Sequence, residues 1–103
     1  MATSTFKNAT DTGVGTSFST AYTVPASTTA VMIGMTVANL GVSQIAIEVK
    51  CANTYLVKAA AIPSGSSLSV LDGKIILEAG DTVEVKSDTA ASADVIVSIL
   101  EQA

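Results

Sequence analysis

Apolar and polar residues alternate with a period of two along most of the chain, which is the pattern of β-strands that bury one face. Segment 43–51 shows this most clearly, because its apolar residues occupy every second position. These predicted inward-facing residues are Ile45, Ile47, Val49 and Cys51. Similar segments recur at spacings of about 8 to 12 residues, and no segment sustains a helical period. The pattern therefore predicts an all-β protein.

Turn signals divide residues 62–87 into three predicted strands, and the rest of the chain is organised around them. Residues 63–65 precede the first strand, Asp72-Gly73 separates the first from the second, and residues 79–81 separate the second from the third. Asp-Gly is a strong short-range hairpin signal, because glycine adopts the positive φ that a tight turn requires. We therefore predict a hairpin at Asp72-Gly73, with Gly73 at positive φ.

The whole pattern predicts about eight short antiparallel strands in a single β-sandwich, with a jelly roll as the favoured topology. Residues 16–103 would form this sandwich domain. Residues 1–15 are rich in Thr, Ser, Asn and Gly and offer little to bury, so we expect a flexible N-terminal arm with at most a short strand around Thr5–Asn8. Such an arm gains order by pairing with something else, for example a neighbouring subunit.

Two further segments have predicted inward residues, which are Val31, Ile33, Met35 and Val37 in 29–39, and Val95, Val97 and Ile99 in 93–100. Four apolar residues fall on the parity opposite to the predicted core: Met32, Ile76, Ile96 and Leu100. One explanation is that a partner covers part of the outer surface. Another is a β-bulge, which shifts the register by one residue and returns such side chains to the core. A third is an incorrect choice of inward face in one strand. The sequence leaves these explanations open.

The charged residues are unevenly distributed. The chain has five Lys, nine acidic residues and a net charge of −4, but no charged residue lies between Thr12 and Ile47. A surface coated with Ser and Thr hydroxyls would explain this stretch. A subunit interface would also explain it, because the cores of interfaces are depleted of charge. In the second case the interface candidates are Met32, Thr36, Ile76, Ile96 and Leu100.

Residues that usually carry out catalysis are sparse in this sequence. The chain has no His to activate a nucleophile, and its one cysteine, Cys51, has the inward parity of a core residue. The other candidates, Asp72, Glu78, Asp81 and Glu84, lie beside turns or on outward strand positions, without the spacing of a calcium-binding loop. We therefore expect a non-enzymatic protein with no catalytic residues, no cofactor and no metal site.

Neither a nucleic acid nor a membrane is an expected partner. The lysines are scattered singly among acids and do not form the basic stripe typical of nucleic-acid-binding proteins. The apolar run Val31–Val49 is about as long as a membrane span, but it alternates and contains Glu48, so it predicts two strands and a turn. No basic-then-apolar signal peptide opens the sequence, so we expect a product made in the cytoplasm.

Four segments occur in an order that resembles the small virion structural proteins of tailed bacteriophages. The segments are VMIGMTVAN at 31–39, IPSGSSL at 62–68, GKIILEAGD at 73–81 and VIVSILE at 95–101. The resemblance extends from about Thr23 to the end of the chain and leaves residues 1–11 outside. It implies a small multimeric β-sandwich protein of the capsid, neck or tail, with no catalytic residues to carry over.

The resemblance and the uncharged stretch together imply a virion protein that decorates or cements a capsid as a homo-oligomer, with a trimer favoured. Its partners would be copies of itself and the major capsid protein or another virion protein. A neck, collar or tail component of the virion is the alternative in the same class. A carbohydrate-binding sandwich module is a rival of another class, although few aromatic residues are present for sugar stacking: Phe6, Phe18, Tyr22 and Tyr55.

Overall fold

The computed structural model describes residues 3–71 and 73–103, and these residues form nine β-strands and no helix. The strands are β1 (Ser4–Val14), β2 (Ser19–Thr23), β3 (Thr29–Asn39), β4 (Ile45–Cys51), β5 (Thr54–Ile62), β6 (Ser67–Ser69), β7 (Ile75–Leu77), β8 (Thr82–Ser87) and β9 (Ala93–Gln102). Within these residues no helix could cross a membrane. The apolar run Val31–Val49 forms most of β3 and β4, as predicted.

The strands form two sheets in which every pair is antiparallel. In the first sheet the order is β1-β9-β3, and β6 and β7 lie one after the other along the far side of β3. In the second sheet the order is β2-β8-β4-β5. With β6 and β7 taken as one interrupted strand, these two orders are those of a jelly roll, which combines two Greek keys. The predicted all-β sandwich is confirmed.

The core lies between the two sheets and consists of their alternating inward side chains. The inward residues of β4 are buried as predicted: Ile45, Ile47, Val49 and Cys51. The matching buried residues of β8 and β9 are Val83, Val85, Val95, Val97 and Ile99. Fully burying one large aliphatic side chain contributes about 1.5–3 kcal/mol. The stability of the fold therefore depends on the combined burial of many Val and Ile side chains.

A β-bulge in β3 decides which of its side chains reach the core. The register against β9 shifts between Met32 and Gly34, so the inward residues Met32 and Met35 are three positions apart. As a result Met32 is fully buried and Ile33 is exposed. Two predictions are corrected: Met32 is a core residue and not an interface candidate, and Ile33 faces outward. The bulge is one of the explanations that the sequence left open.

The predicted hairpin at Asp72-Gly73 does not form. Both β6 and β7 are antiparallel to β3, so they run in the same direction and continue one interrupted edge strand. In this arrangement β6 and β7 both pair with the far side of β3. If they paired with each other in a hairpin, backbone groups on that side of β3 would be left without partners. Gly73 has a positive φ of 119°, as predicted, and lies at the interruption. Asp72 itself lies outside the described residues.

Residues 4–14, which the sequence pattern places in a flexible arm of residues 1–15, form β1. From Ser4 to Asp11 this strand pairs with β9 without a shift of register. Its polar composition reflects its position, because an edge strand leaves most of its side chains exposed. Without β1, the backbone groups on one side of β9 would have no partners. Residues 1 and 2 of the predicted arm lie outside the described residues.

Asn39, at the end of β3, connects the two sheets. Its buried side-chain amide donates to the carbonyl oxygens of Ser43 at 2.8 Å and Ile62 at 2.9 Å. Its Oδ1 accepts the backbone N–H of Gly41 at 2.8 Å. Because Ile62 ends β5 in the second sheet, these bonds fix the loop that leads from one sheet to the other.

We predict that Asn39→Ala lowers the free energy of unfolding by about 2–4 kcal/mol, because each buried backbone group left without a partner costs about 1–3 kcal/mol. Urea denaturation followed by circular dichroism measures this change. Ser64→Ala is the control, since it removes only an exposed bond, at 3.1 Å, to the Gly41 carbonyl in the same loop. An equal loss of stability in both variants would contradict the role of Asn39.

Gly73→Ala is expected to lower the free energy of unfolding by about 1–2 kcal/mol, because L side chains rarely adopt its φ. Steric contact is not the cause, since a Cβ at Gly73 would meet no atom within 4 Å. The matched control is Gly34→Ala, where φ is not positive and the new Cβ would lie 3.9 Å from Ser98 Cβ. Thermal denaturation of both variants is the measurement. A Gly73→Ala protein as stable as Gly34→Ala would argue against backbone strain.

Candidate interaction surface

Four apolar side chains lie side by side across the outer face of the first sheet. The register places Phe6 of β1 opposite Leu100 of β9, and Leu100 opposite Val31 of β3. Val31 in turn lies opposite Ile76 of β7. Residues paired in this way have Cβ atoms about 4.5–5.5 Å apart. Phe6, Leu100, Val31 and Ile76 therefore form a continuous line across the sheet, which we call the apolar row.

The two ends of the apolar row are its most exposed members. Phe6 is 75% exposed and Ile76 is 69% exposed. Two neighbours on the same face are also exposed, Ile33 at 40% and Ile96 at 43%. Single exposed apolar residues are common on soluble proteins, but a contiguous set of them indicates an interaction site.

A shallow trough lies beside the apolar row, where the side chains are small. Gly34 and Ser98 lie opposite each other there, and the Ser98 hydroxyl donates to Asn8 Oδ1 at 2.9 Å. The trough has a volume of about 260 Å³, and Phe6 and Ile33 form two of its walls. The face thus has a raised row and an adjacent depression, which a complementary surface could match.

The outer face of the first sheet is almost uncharged. Among the outward-facing strand residues that the structure describes on this sheet, Asp94 alone is charged, and its Oδ1 accepts the Gly13 N–H at 3.0 Å. The whole chain carries a net charge of −4, so two copies have an overall electrostatic repulsion. On this face they could meet without burying unpaired charges, which would be costly.

The structure places four of the five predicted interface residues on this face: Thr36, Ile76, Ile96 and Leu100. They come from three different strands, which the jelly-roll order brings together. The fifth, Met32, lies in the core. Contact between this face and a partner stays a prediction.

Sequence reasoning missed three residues of this surface. Phe6 lay in the segment interpreted as an arm, and its position across from Leu100 depends on the pairing of β1 with β9. Val31 and Ile33 were assigned to the core because period-two alternation does not reveal a bulge. The adjacent apolar run 31–35, too long for simple alternation, was the one available signal.

The inward-facing side chains of β1 contact the rest of the sandwich through polar and charged groups. Lys7 Nζ lies 3.5 Å from Glu101 Oε2 and 5.9 Å from the centre of the Tyr22 ring. The Tyr22 hydroxyl donates to Glu101, and burial together with this bond raises the pKa of Tyr22. Farther along the strand, the Ser19 hydroxyl donates to Asp11. These contacts replace the apolar packing that an inner strand would have.

The outer face of the second sheet carries lysines and aromatic rings. Lys50 Nζ lies 4.5 Å from the centre of the Phe18 ring and 5.0 Å from that of Tyr55. Lys58 Nζ lies 4.3 Å from the Tyr55 centre, and Lys86 Nζ lies 5.2 Å from the Phe18 centre. Lysines scattered in the sequence are thus gathered around one aromatic pair, at distances where cation–π attraction acts.

Glu48 compensates part of this positive charge. Its Oε1 lies 3.5 Å from Lys58 Nζ and its Oε2 lies 3.8 Å from Lys86 Nζ. Oε1 is buried and has no hydrogen bond of good geometry, so its contact with Lys58 is mainly a charge interaction. A hydrogen bond to the Tyr55 hydroxyl at 3.2 Å, together with the Glu48 carboxylate, raises the pKa of Lys58. This face is a solvated network of compensating charges, whose exposed pairs contribute little stability.

Cys51 is buried at the end of β4, as predicted. Burial, with a smaller effect of nearby Asp81, raises the pKa of Cys51 to about 11. Asp81 has a local role in its turn, where its Oδ2 accepts the Glu78 N–H at 2.9 Å. In the part of the chain that the structure describes, no three His, Cys, Asp or Glu residues are grouped to hold a metal ion.

Comparison with known proteins gives likenesses among solved structures only. No protein-family profile matches the chain, and no curated protein sequence matches it significantly. Among solved structures, it is similar to a chain from Bacillus endospore appendages, described as a novel family of disulfide-linked pili. The TM-score is 0.56 at 17% identity, over 97% of this chain and 86% of that one. At this identity the likeness supports the fold alone.

We predict that Cys51 reacts slowly with iodoacetamide in the native protein at about pH 8 and quickly after unfolding, because an exposed thiol has a pKa of about 8.5. Time-resolved mass spectrometry measures the labelling. Since folding raises this pKa, the thiol contributes stability that is present below about pH 8.5 and lost as the pH rises toward 11. Val42→Cys, at a position that is 97% exposed, is the fast-labelling control. Equally fast native labelling of Cys51 would contradict its burial.

Proposed function

We propose that this protein is a non-enzymatic structural subunit that assembles with copies of itself through the outer face of the first sheet. The apolar row is the observation that carries the proposal. The row runs from β1 across β9 and β3 to β7, from one edge of the sheet to the other. Among the described outward-facing strand residues of this face, Asp94 alone is charged. A soluble chain gains stability by covering such a surface, because apolar area is removed from water.

Covering this face would contribute favourable free energy to assembly in a repeating structure. Removing exposed area of Phe6 and Ile76 from water contributes several kcal/mol at about 25 cal/mol per Å². Association also costs translational and rotational freedom, so a single weak contact yields a weak dimer. In a ring or lattice each subunit makes more than one contact, which raises the effective concentration and the total affinity.

The similar solved chain is a precedent for a structural role on this fold. It comes from Bacillus endospore appendages, which form disulfide-linked pili. The disulfide linkage of those pili is not part of this proposal, because the one cysteine of this chain is buried in the core. Here apolar and backbone contacts would have to join the copies.

The sequence resemblance suggests a finer form of the proposal, in which the assembly is a homotrimer that decorates or cements a phage capsid. The second partner would then be the major capsid protein or another virion protein, and the location would be the virion. A neck, collar or tail component would use the same face. Electron microscopy of the assembled protein separates these forms, since trimers give closed particles and a tail or pilus component gives rings or filaments.

A carbohydrate-binding role receives less support from the geometry. Sugar recognition requires an open aromatic face, and Phe18 and Tyr55 are the aromatic pair of the second sheet, with ring centres 6.4 Å apart. Lysine ammonium groups lie over both rings. A sugar would have to displace these cations before it could stack.

We predict that Ile76→Asp weakens self-association at least about thirtyfold, because a loss of about 2 kcal/mol or more of apolar burial corresponds to that factor. The new carboxylate would also be buried without a partner, which adds to the loss. Sedimentation velocity over a range of concentrations measures the change. The fold should be unaffected, because Ile76 is exposed in the single chain.

Val42→Asp is the matched control, since it introduces the same charge at a side chain that is 97% exposed in the β3–β4 loop. It should assemble like the wild type. If Ile76→Asp also assembles like the wild type, the outer face of the first sheet is not the contact. The proposed function would be overturned if the wild-type chain stays monomeric at every concentration and also forms no layer on virus particles.

A further inference from the structure

We propose that the free edge of β1 pairs antiparallel with β1 of a second copy, centred on Ala9, and joins two first sheets into one continuous sheet. This inference rests on the proposed self-assembly and adds a second contact to it. In the proposed register, Lys7 of each copy lies opposite Asp11 of the other. The occupant of the edge is therefore a second copy of this chain.

Among the sheet edges that the structure describes, β1 is the one suited to accept another strand. It pairs with β9 from Ser4 to Asp11 without a register shift, and its other side has no strand beside it. The opposite edge of the first sheet is divided into the short strands β6 and β7. In the second sheet, the register of both edge strands shifts, β2 against β8 and β5 against β4. Interruptions and bulges are among the features that protect edges from pairing, and β1 lacks both over this length. Inward charges are another such feature, and β1 carries Lys7 and Asp11, whose charges only a strand of complementary charge would compensate.

The sequence of β1 is complementary to itself when read in opposite directions. An antiparallel pair centred on Ala9 places Lys7 opposite Asp11 twice, once on each side of the centre. It also places Asn8 opposite Thr10 on the outer face. Opposite charges in directly paired positions stabilise a sheet, and like charges destabilise it. A register centred on Asn8 would instead place Lys7 opposite Ala9 and remove both charge pairs.

The residues that form these pairs are already held in position within each copy. Lys7 is directed toward Glu101, 3.5 Å away, and its side chain is still partly exposed. Asp11 accepts a hydrogen bond from Ser19 and keeps a second carboxylate oxygen. Both side chains have restricted conformations before association, which lowers the entropic cost of the contact. The joined sheet would also place two apolar rows on one surface.

The test uses two charge reversals that repel themselves and attract each other. Lys7→Asp leaves acidic residues at both positions, and Asp11→Lys leaves lysines at both positions. Each variant alone should associate at least about tenfold more weakly than the wild type by sedimentation velocity. An equimolar mixture should recover wild-type association, and native mass spectrometry should show mixed species. Circular dichroism checks that each variant is folded.

A second measurement does not depend on charge. In a Cys51→Ala background, Ala9→Cys should form an intersubunit disulfide under mild oxidation. Residues opposite each other have Cβ atoms about 4.5–5.5 Å apart, and a small movement at the sheet edge brings them to the roughly 3.5–4.5 Å of a disulfide. Thr5→Cys is the control and should not crosslink, since its counterpart lies opposite Gly13 in this register. Crosslinking of Ala9→Cys together with recovery in the mixture would support the pairing.

The outcomes distinguish this pairing from the proposed function. If both charge variants associate like the wild type, or the mixture does not recover, or Ala9→Cys crosslinks no better than Thr5→Cys, the β1 pairing is wrong. The proposed function still stands in those cases if the wild type assembles and Ile76→Asp does not. If the wild type never assembles, both proposals fail together.

Discussion

The other features of this protein depend on one constraint, which is that each sheet buries one of its two faces. In a strand with period two, a shift of one residue moves every following side chain to the other face. The bulge at Ile33 uses this property, because Ala30 and Met32 before it and Met35 after it all face the core. Without the bulge, residues on one side of Ile33 would have to leave the core.

The same bulge produces the proposed interaction surface. It turns Val31 and Ile33 outward, so the apolar row continues from β9 across β3 to Ile76. A strict alternation that kept Met35 inside would have placed Val31 inside as well and interrupted the row. One inserted residue therefore accounts for both the filled core and the exposed line of apolar side chains.

The two outer faces of the sandwich have different chemistry, which suggests different surroundings. The first sheet presents apolar residues and hydroxyls with little charge, whereas the second presents lysines that contact Glu48 and the rings of Phe18 and Tyr55. The second face suits water, because its charges compensate one another at a solvated surface. In an assembly we expect the first sheet to face other protein and the second to face solvent.

The sequence by itself determined the fold class and most of the core. Period-two alternation in β4 and β9 identified the buried residues correctly, since both strands are regular and half-buried. It also placed Thr36, Ile76, Ile96 and Leu100 on outward faces, where the structure has them. Local sequence signals were sufficient wherever the alternation within a strand alone decided which face of the sheet a residue occupies.

Only the tertiary structure decided features that depend on pairing between distant segments. Met32 was misplaced because the position of a bulge is defined by the partner strand, and the adjacent apolar run 31–35 does not by itself show where the register shifts. The predicted Asp72-Gly73 hairpin was wrong because both flanking segments, β6 and β7, pair with the far side of β3 and not with each other. Residues 4–14 looked like an arm because their partner strand, β9, lies at the other end of the chain. Strand pairing joins residues far apart in sequence, so neither turn propensity nor composition could reveal it.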